Sequence, residues 1–263
     1  MTTPGRETQA LWLLWCILGT VGSGFAQTIA APATPTPSSP SPEQIAACEK
    51  AAREQLFHDL AAFARYAAAD ATLPPPSLRE RRVVFMGDSI TESWATLDPA
   101  FFARADFVDR GISGQTTPQM LLRFRQDVIA LKPAVVHIMA GTNDLAGNTG
   151  PMDLPGIEAN LASMVDLARA NGIQVVIGSV LSAADFPWRP GLNPGPKIVA
   201  LNQWLESYSH TRHLIYVDYY GAVTDGALGI RPDLSPDGVH PSKAGYRIMD
   251  HLAEPAIRAA QRR

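Results

Sequence analysis

Five short apolar runs recur between residues 83 and 217, and their spacing constrains the fold more than any other feature of the chain. They occupy residues 83–86, 107–108, 134–139, 174–177 and 214–217. Three are rich in Val and Ile and bounded by turn residues, the pattern of strands buried on both faces. The run at Phe107 and Val108 is the shortest. Helical patterns lie between the runs. One starts at Thr117-Pro118 with Thr117 as its cap, one follows Pro155 and stops at Asn171-Gly172, and one covers residues 198–208. A last one begins after Pro241-Ser242 and runs to the end. Strand–helix alternation predicts an α/β fold, a five-stranded parallel sheet sandwiched between helices. In such sheets ligands bind beyond the carboxyl ends of the strands, near the reversal of strand order. Residues directly after strands are therefore the first candidates for chemistry.

The N-terminal part carries a different pattern. Residues 1–26 read as a secretory signal: Arg6 near the start, an apolar run over residues 10–21 too short to span a bilayer, and Gly24 and Ala26 before a cut at Gln27. Trp15 before Cys16 does not suit lipoprotein cleavage, so lipidation is not expected. Residues 27–42 read as a linker rich in Pro, Ala, Ser and Thr, extended because it has little apolar surface to bury. Ser41-Pro42-Glu43-Gln44 opens a helix, with Ile45, Cys48, Ala52, Leu56, Leu60 and Phe63 on one face and Leu73-Pro74 at its end. Residues 43–263 are then a single domain. The chain is 46% hydrophobic and 18% charged, enough apolar material for a sizeable core. A net charge of −3 gives no sign of nucleic-acid or anionic-membrane binding. Only Cys48 survives removal of the signal, so no internal disulfide is expected. The mature chain is expected to be secreted or periplasmic, without an integral membrane span.

Four stretches carry candidate chemistry. In Gly87-Asp88-Ser89, a serine follows the first strand, where it is either a helix cap or a nucleophile that needs a base. Thr91 stands where the G-x-S-x-G elbow would have its second glycine, so that motif fails. In Ser113-Gly114-Gln115, after the second strand, a glycine gives a substrate oxygen access to backbone N–H groups, or simply makes a turn. In Gly141-Thr142-Asn143-Asp144, after the third strand, Asn143 can aim an amide N–H at a developing oxyanion or bond its own loop. In Asp237-Gly238-Val239-His240-Pro241, an acid lies three residues before a histidine, close enough in a turn to hold the imidazole in one tautomer, or Asp237 simply caps a turn and His240 is a surface residue. Asp88 and Asp144 read as loop ties and His137 as a core histidine. Phe186 and Trp188, in the Pro-rich connection after the fourth strand, are candidates to line a substrate pocket, and residues 147–151 to form its rim.

Together, in this order, the four blocks resemble the SGNH (GDSL-type) hydrolase family. Departures are small: Ile90 stands where the family name has leucine, and Asp109 where asparagine is frequent. The resemblance implies a flavodoxin-like three-layer fold and a serine esterase, with Ser89, Asp237 and His240 catalytic. It places the oxyanion hole at Ser89, Gly114 and Asn143 and calls for no metal or organic cofactor. The implied partner is a small-molecule, carbohydrate or lipid ester. Within the family, short acyl groups fit a chain without a long apolar lid. Lysophospholipase, thioesterase and acyltransferase activities share the fold, and a catalytically silent carbohydrate-binding protein is the competing class.

Overall fold

The computed structural model describes residues 57–77, 81–103 and 106–263, with Glu43, Lys50 and Glu54 described singly. The signal, the linker and most of the expected first helix lie outside these residues. The stretch Asp59–Arg263 is one compact unit, and the architecture below is its own.

Five strands form one sheet: β1 (Val83–Gly87), β2 (Phe107–Gly111), β3 (Val135–Met139), β4 (Gln174–Gly178) and β5 (Ile215–Val217). Their order is β2-β1-β3-β4-β5, every pair parallel. The strand order reverses between β1 and β3, so the carboxyl ends of those two strands open the crevice typical of this topology. The helices are α1 (Ala64–Thr72), α2 (Ser89–Leu97), α3 (Pro99–Phe102), α4 (Thr117–Asp127), α5 (Thr142–Leu145), α6 (Leu154–Ala170), α7 (Gly195–Thr211), α8 (Tyr219–Val223) and α9 (Lys243–Gln261).

Period-two alternation sends neighbouring strand residues into different cores. Val84, Met86, Val136, Ile138, Val175 and Ile177 join one with Phe124 of α4, Ile157 and Met164 of α6 and Leu201 of α7. Val83, Phe85, Val135, Met139 and Val176 join the other with Trp94 of α2, Tyr219 of α8 and Tyr246 and Met249 of α9. Both sheet faces are therefore covered, which is why the strands read as continuous apolar runs. His137 faces the second core, fully buried, with Nε2 2.9 Å from the Tyr219 hydroxyl. Burial drives its pKa down to about 3, so it stays neutral. No described helix is long and apolar enough to cross a membrane.

The structure corrects several boundaries. The apolar periodicity through Leu60 and Phe63 is not one helix ended by Leu73. The chain turns at residues 59–63, with Ala62 at φ 53°, and α1 begins afresh at Ala64. Asp59 causes the break: its carboxylate accepts the N–H groups of Phe63 (2.8 Å) and Ala64 (3.0 Å), a local alternative to helical bonding. The α4 cap is Thr116 rather than Thr117, and Gln119 Oε1 accepts the Thr116 N–H at 3.0 Å. Strand β2 runs on through Asp109 and Arg110, because both polar residues find partners. Arg110 pairs with Asp70 and lies over the Tyr66 ring at 4.6 Å, while Asp109 Oδ1 accepts the Gly111 N–H at 2.7 Å.

Asp109 sets a pH dependence. Burial pushes its carboxyl up to about 7, against the pull of the Gly111 N–H. The folded state therefore holds this proton more tightly than the unfolded chain, so its contribution to stability is complete below pH ~4 and is lost as pH rises towards ~7. Asp109→Asn removes the titration. Its Tm is expected to exceed that of the parent by about 2–4 °C at pH 8, with the gap closing at pH 4.5, in paired melts. Equal gaps at both values would contradict this account.

Candidate active site

The first turn of α2 presents Ser89. Strand β1 ends at Gly87, where a Cβ would stand 2.0 Å from Thr91 Oγ1 and 2.9 Å from the Met139 carbonyl oxygen. The glycine is thus a packing requirement between β1, α2 and β3. Asp88 caps the helix, its Oδ1 accepting the Ile90 N–H at 2.9 Å. Ser89 is the first helical residue, so its own N–H is one of the donors a helix start leaves over. Among the described residues, neither the Ser89 nor the Gly114 backbone N–H donates a hydrogen bond.

Ser89 Oγ lies 2.9 Å from His240 Nε2, although the two residues are 151 positions apart. His240 Nδ1 lies 2.7 Å from Asp237 Oδ2. The loop before α9 winds around the Asp237 carboxylate, whose Oδ1 accepts the N–H groups of Val239 (2.9 Å) and His240 (2.8 Å). Gly238, at φ 80°, makes that turn possible. Ser235 Oγ closes it, donating to the His240 carbonyl (2.8 Å) and accepting the Gly238 N–H (2.9 Å). Burial alone would raise the Asp237 pKa, but the His240 imidazole and the backbone donors outweigh it and hold the carboxyl below its usual range. An ionised Asp237 accepts a hydrogen bond from Nδ1–H, which keeps that proton on Nδ1 and leaves the Nε2 lone pair facing the Ser89 hydroxyl.

On the other side of Asp88 lies Asn143, buried in α5. Its amide nitrogen is 3.0 Å from the Gln115 carbonyl oxygen and 3.3 Å from Asp88 Oδ2. Burial raises the Asp88 pKa to about 6. Asp144 bonds the N–H (3.0 Å) and hydroxyl (2.6 Å) of Thr117, tying α5 to the start of α4. Gly114 sits at φ 76°, and its carbonyl receives the Asn148 amide at 3.2 Å.

The two pocket candidates separate. Trp188 is half-buried, with its ring centroid 6.1 Å from that of His240. Phe186 is fully buried and does not line the cleft: it belongs to the core and supports Trp188 from below, the rings stacked at 5.1 Å. Sequence reasoning missed the roles of two residues whose partners in the Gly114 loop lie 21 and 34 positions away. Glu92 accepts the N–H (2.8 Å) and hydroxyl (2.7 Å) of Ser113, clamping the Gly114 loop. Asn148 bonds Gly114, Asn143 and Trp188. Among the described residues, no group of three His, Cys, Asp or Glu side chains could hold a metal ion.

A parallel sheet that carries a hydrogen-bonded serine, imidazole and carboxylate suits a nucleophilic hydrolase, and the sequence family makes the chain an ester-hydrolysing enzyme. The chain belongs to the GDSL-like lipase/acylhydrolase family, whose sequence profile matches residues 85–248. The crystal structure of a GDSL-like lipase from Bacteroides thetaiotaomicron is 46% identical, with a TM-score of 0.75, over 77% of this chain and 100% of that one. Esterase TesA of Pseudomonas aeruginosa is 28% identical over 150 residues, 55% of this chain and 66% of TesA. An acetylxylan esterase of Geobacillus stearothermophilus is 27% identical over 205 residues, 64% of this chain and 90% of that enzyme.

Proposed function

We propose that the chain is an exported serine esterase that removes short acyl groups, acetyl above all, from carbohydrate esters through an acyl-enzyme on Ser89. The observation that carries this reading is the continuous line Ser89 Oγ–His240 Nε2 and His240 Nδ1–Asp237 Oδ2, at 2.9 and 2.7 Å. Ser89 Oγ attacks the ester carbonyl as His240 Nε2 takes its proton, and Asp237 stabilises the imidazolium. The oxyanion is received by the N–H groups of Ser89 and Gly114 and by the Asn143 amide, which gives up its longer contact with Asp88 to do so. His240 then protonates the leaving alcohol, and water attacks the acyl-enzyme by the same route in reverse.

The half-buried Trp188 beside His240 supports a carbohydrate substrate, since an indole face packs well against a sugar ring. Similarity to an acetylxylan esterase points the same way. The signal-like pattern of residues 1–26 supports export.

Treatment with a fluorophosphonate, followed by peptide mapping, is expected to place one adduct on Ser89 and to abolish hydrolysis of p-nitrophenyl acetate. A folded sample that takes no label overturns the enzymatic reading. In a chain-length series, p-nitrophenyl acetate should be turned over faster than the octanoate, with acetate released from acetylated xylan. Preference for the octanoate overturns the acyl assignment alone.

A further inference from the structure

The loop after α5 contains a side chain that the reaction as written does not use. Asn148 sits between the three parts of the cleft. Its Oδ1 accepts the Trp188 indole N–H at 3.2 Å. Its Nδ2 donates to Asn143 Oδ1 at 2.9 Å and to the Gly114 carbonyl at 3.2 Å. Its backbone N–H bonds the Asn143 carbonyl at 3.0 Å, in a tight turn made by Gly147 and Gly150 at φ 70° and 108°.

The chemistry of these partners leaves the Asn148 amide one orientation. An indole N–H only donates, so it selects the carboxamide oxygen. Asn143 Oδ1 and the Gly114 carbonyl only accept, so together they select the NH2 group and use both of its protons. Turning Asn148 over would set oxygen against two oxygens and N–H against N–H. The same logic passes to Asn143. Because Asn148 donates to Asn143 Oδ1, the Asn143 NH2 must face Gln115, Asp88 and the Ser89 side of the cleft. The result is a one-way chain of donors, Trp188 to Asn148 to Asn143 to Gln115. Each amide that accepts a bond becomes a better donor in turn.

From this geometry we propose that Asn148 is a positioning residue for ester hydrolysis, fixing the Asn143 amide with its N–H groups towards the oxyanion and linking that orientation to Trp188 at the substrate face. The inference rests on the reading of Asn143 as an oxyanion donor. The side-chain bonds of Asn148 go to Gly114, Asn143 and Trp188 and not to Ser89 or His240, so it acts on the reaction through Asn143. Its effect falls on kcat, because an orientation that matters only once the oxyanion forms leaves ground-state binding unchanged.

The test is a set of variants assayed with p-nitrophenyl acetate well below their melting temperatures. Asn148→Ala is expected to lower kcat by about tenfold with KM within about twofold. Asn148→Asp keeps the shape and the bond from Trp188 but sets an oxygen against Asn143 Oδ1, so its loss should be larger, about a hundredfold. Trp188→Phe, which keeps a ring but removes the N–H, should lower kcat about threefold. The deciding measurement is the double variant: in an Asn143→Ala background, Asn148→Ala should have no further effect on kcat. A merely structural loop staple would lower Tm and act equally in both backgrounds, which overturns the proposal, as does unchanged kcat in folded Asn148→Ala, or an Asp variant faster than the Ala variant. Ser89→Ala in the same series separates the premises: if it retains full turnover, the esterase mechanism fails, whereas an inactive Ser89→Ala beside an indifferent Asn148→Ala defeats this inference alone.

Discussion

Ser89→Ala is expected to reduce ester turnover by on the order of 10⁶-fold, to the rate that substrate binding and the remaining oxyanion donors sustain without a nucleophile. Asp237→Asn should cost roughly 10⁴-fold, and it is the more informative change. The Asn oxygen can still accept the N–H groups of Val239 and His240, so the loop around it should keep its shape. The other half of the carboxamide puts an N–H against His240 Nδ1. That ring nitrogen must then offer its lone pair, so the imidazole proton moves to Nε2, facing the Ser89 hydroxyl. A histidine protonated on that side has no lone pair for the serine proton. Turnover with p-nitrophenyl acetate, beside melting curves that show the fold intact, checks both variants. Wild-type turnover in a well-folded Asp237→Asn would mean that the His240 tautomer does not govern the reaction.

What could be read from the sequence was what is local. The Val- and Ile-rich runs of β1, β3 and β4 are buried on both faces, so composition alone marks them. The cleft blocks were legible for a related reason. Each is contiguous, and each follows a strand or turn whose end it decorates. The remaining features depend on partners far along the chain. Strand β2 holds Asp109 and Arg110, and a polar pair reads as the end of a strand until Asp70, 40 positions away from Arg110, is known to receive it. Phe186 and Trp188 look alike as two aromatics in a Pro-rich connection, and only packing decides that one is core and the other faces His240. Asp59 fits the helical spacing around it, yet its carboxylate prefers two backbone N–H groups of its own turn. Asn148 had no signal beyond its place in a Gly-rich loop, because its bonds run to Gly114 and Trp188, 34 and 40 positions away.

Arg123 shows how the buried frame and the cleft are joined, and its removal is expected to be the most damaging change to stability. Its guanidinium is fully buried. Nη1 pairs with Asp127 Oδ2 at 2.9 Å, Nη2 donates to the Gly87 carbonyl at 3.1 Å, and Nε donates to Gln115 Oε1. One side chain of α4 thus ties the end of β1, one residue before Asp88-Ser89, to the loop that carries Gly114. Arg123→Met keeps much of the aliphatic stem but takes the cationic partner from the buried Asp127 carboxyl, leaving Gln126 as its side-chain donor among the described residues. Breaking a buried pair in this way costs about 3–5 kcal/mol, or a Tm lower by about 10 °C for a domain of this size. Removing the acid as well, in Arg123→Met with Asp127→Leu, should recover most of that loss, because an apolar replacement of both partners strands no charge. Turnover should not recover with it. In the double variant the Gly87 carbonyl keeps the Ile112 N–H but loses the Arg123 donor, the Gln115 side-chain oxygen loses its Arg123 donor, and Gln115 is also the residue whose backbone oxygen receives Asn143. The double variant is therefore expected to melt near the parent but to hydrolyse p-nitrophenyl acetate about tenfold more slowly. A double variant that recovers both Tm and turnover would reduce Arg123 to a core ion pair with no hold on the cleft.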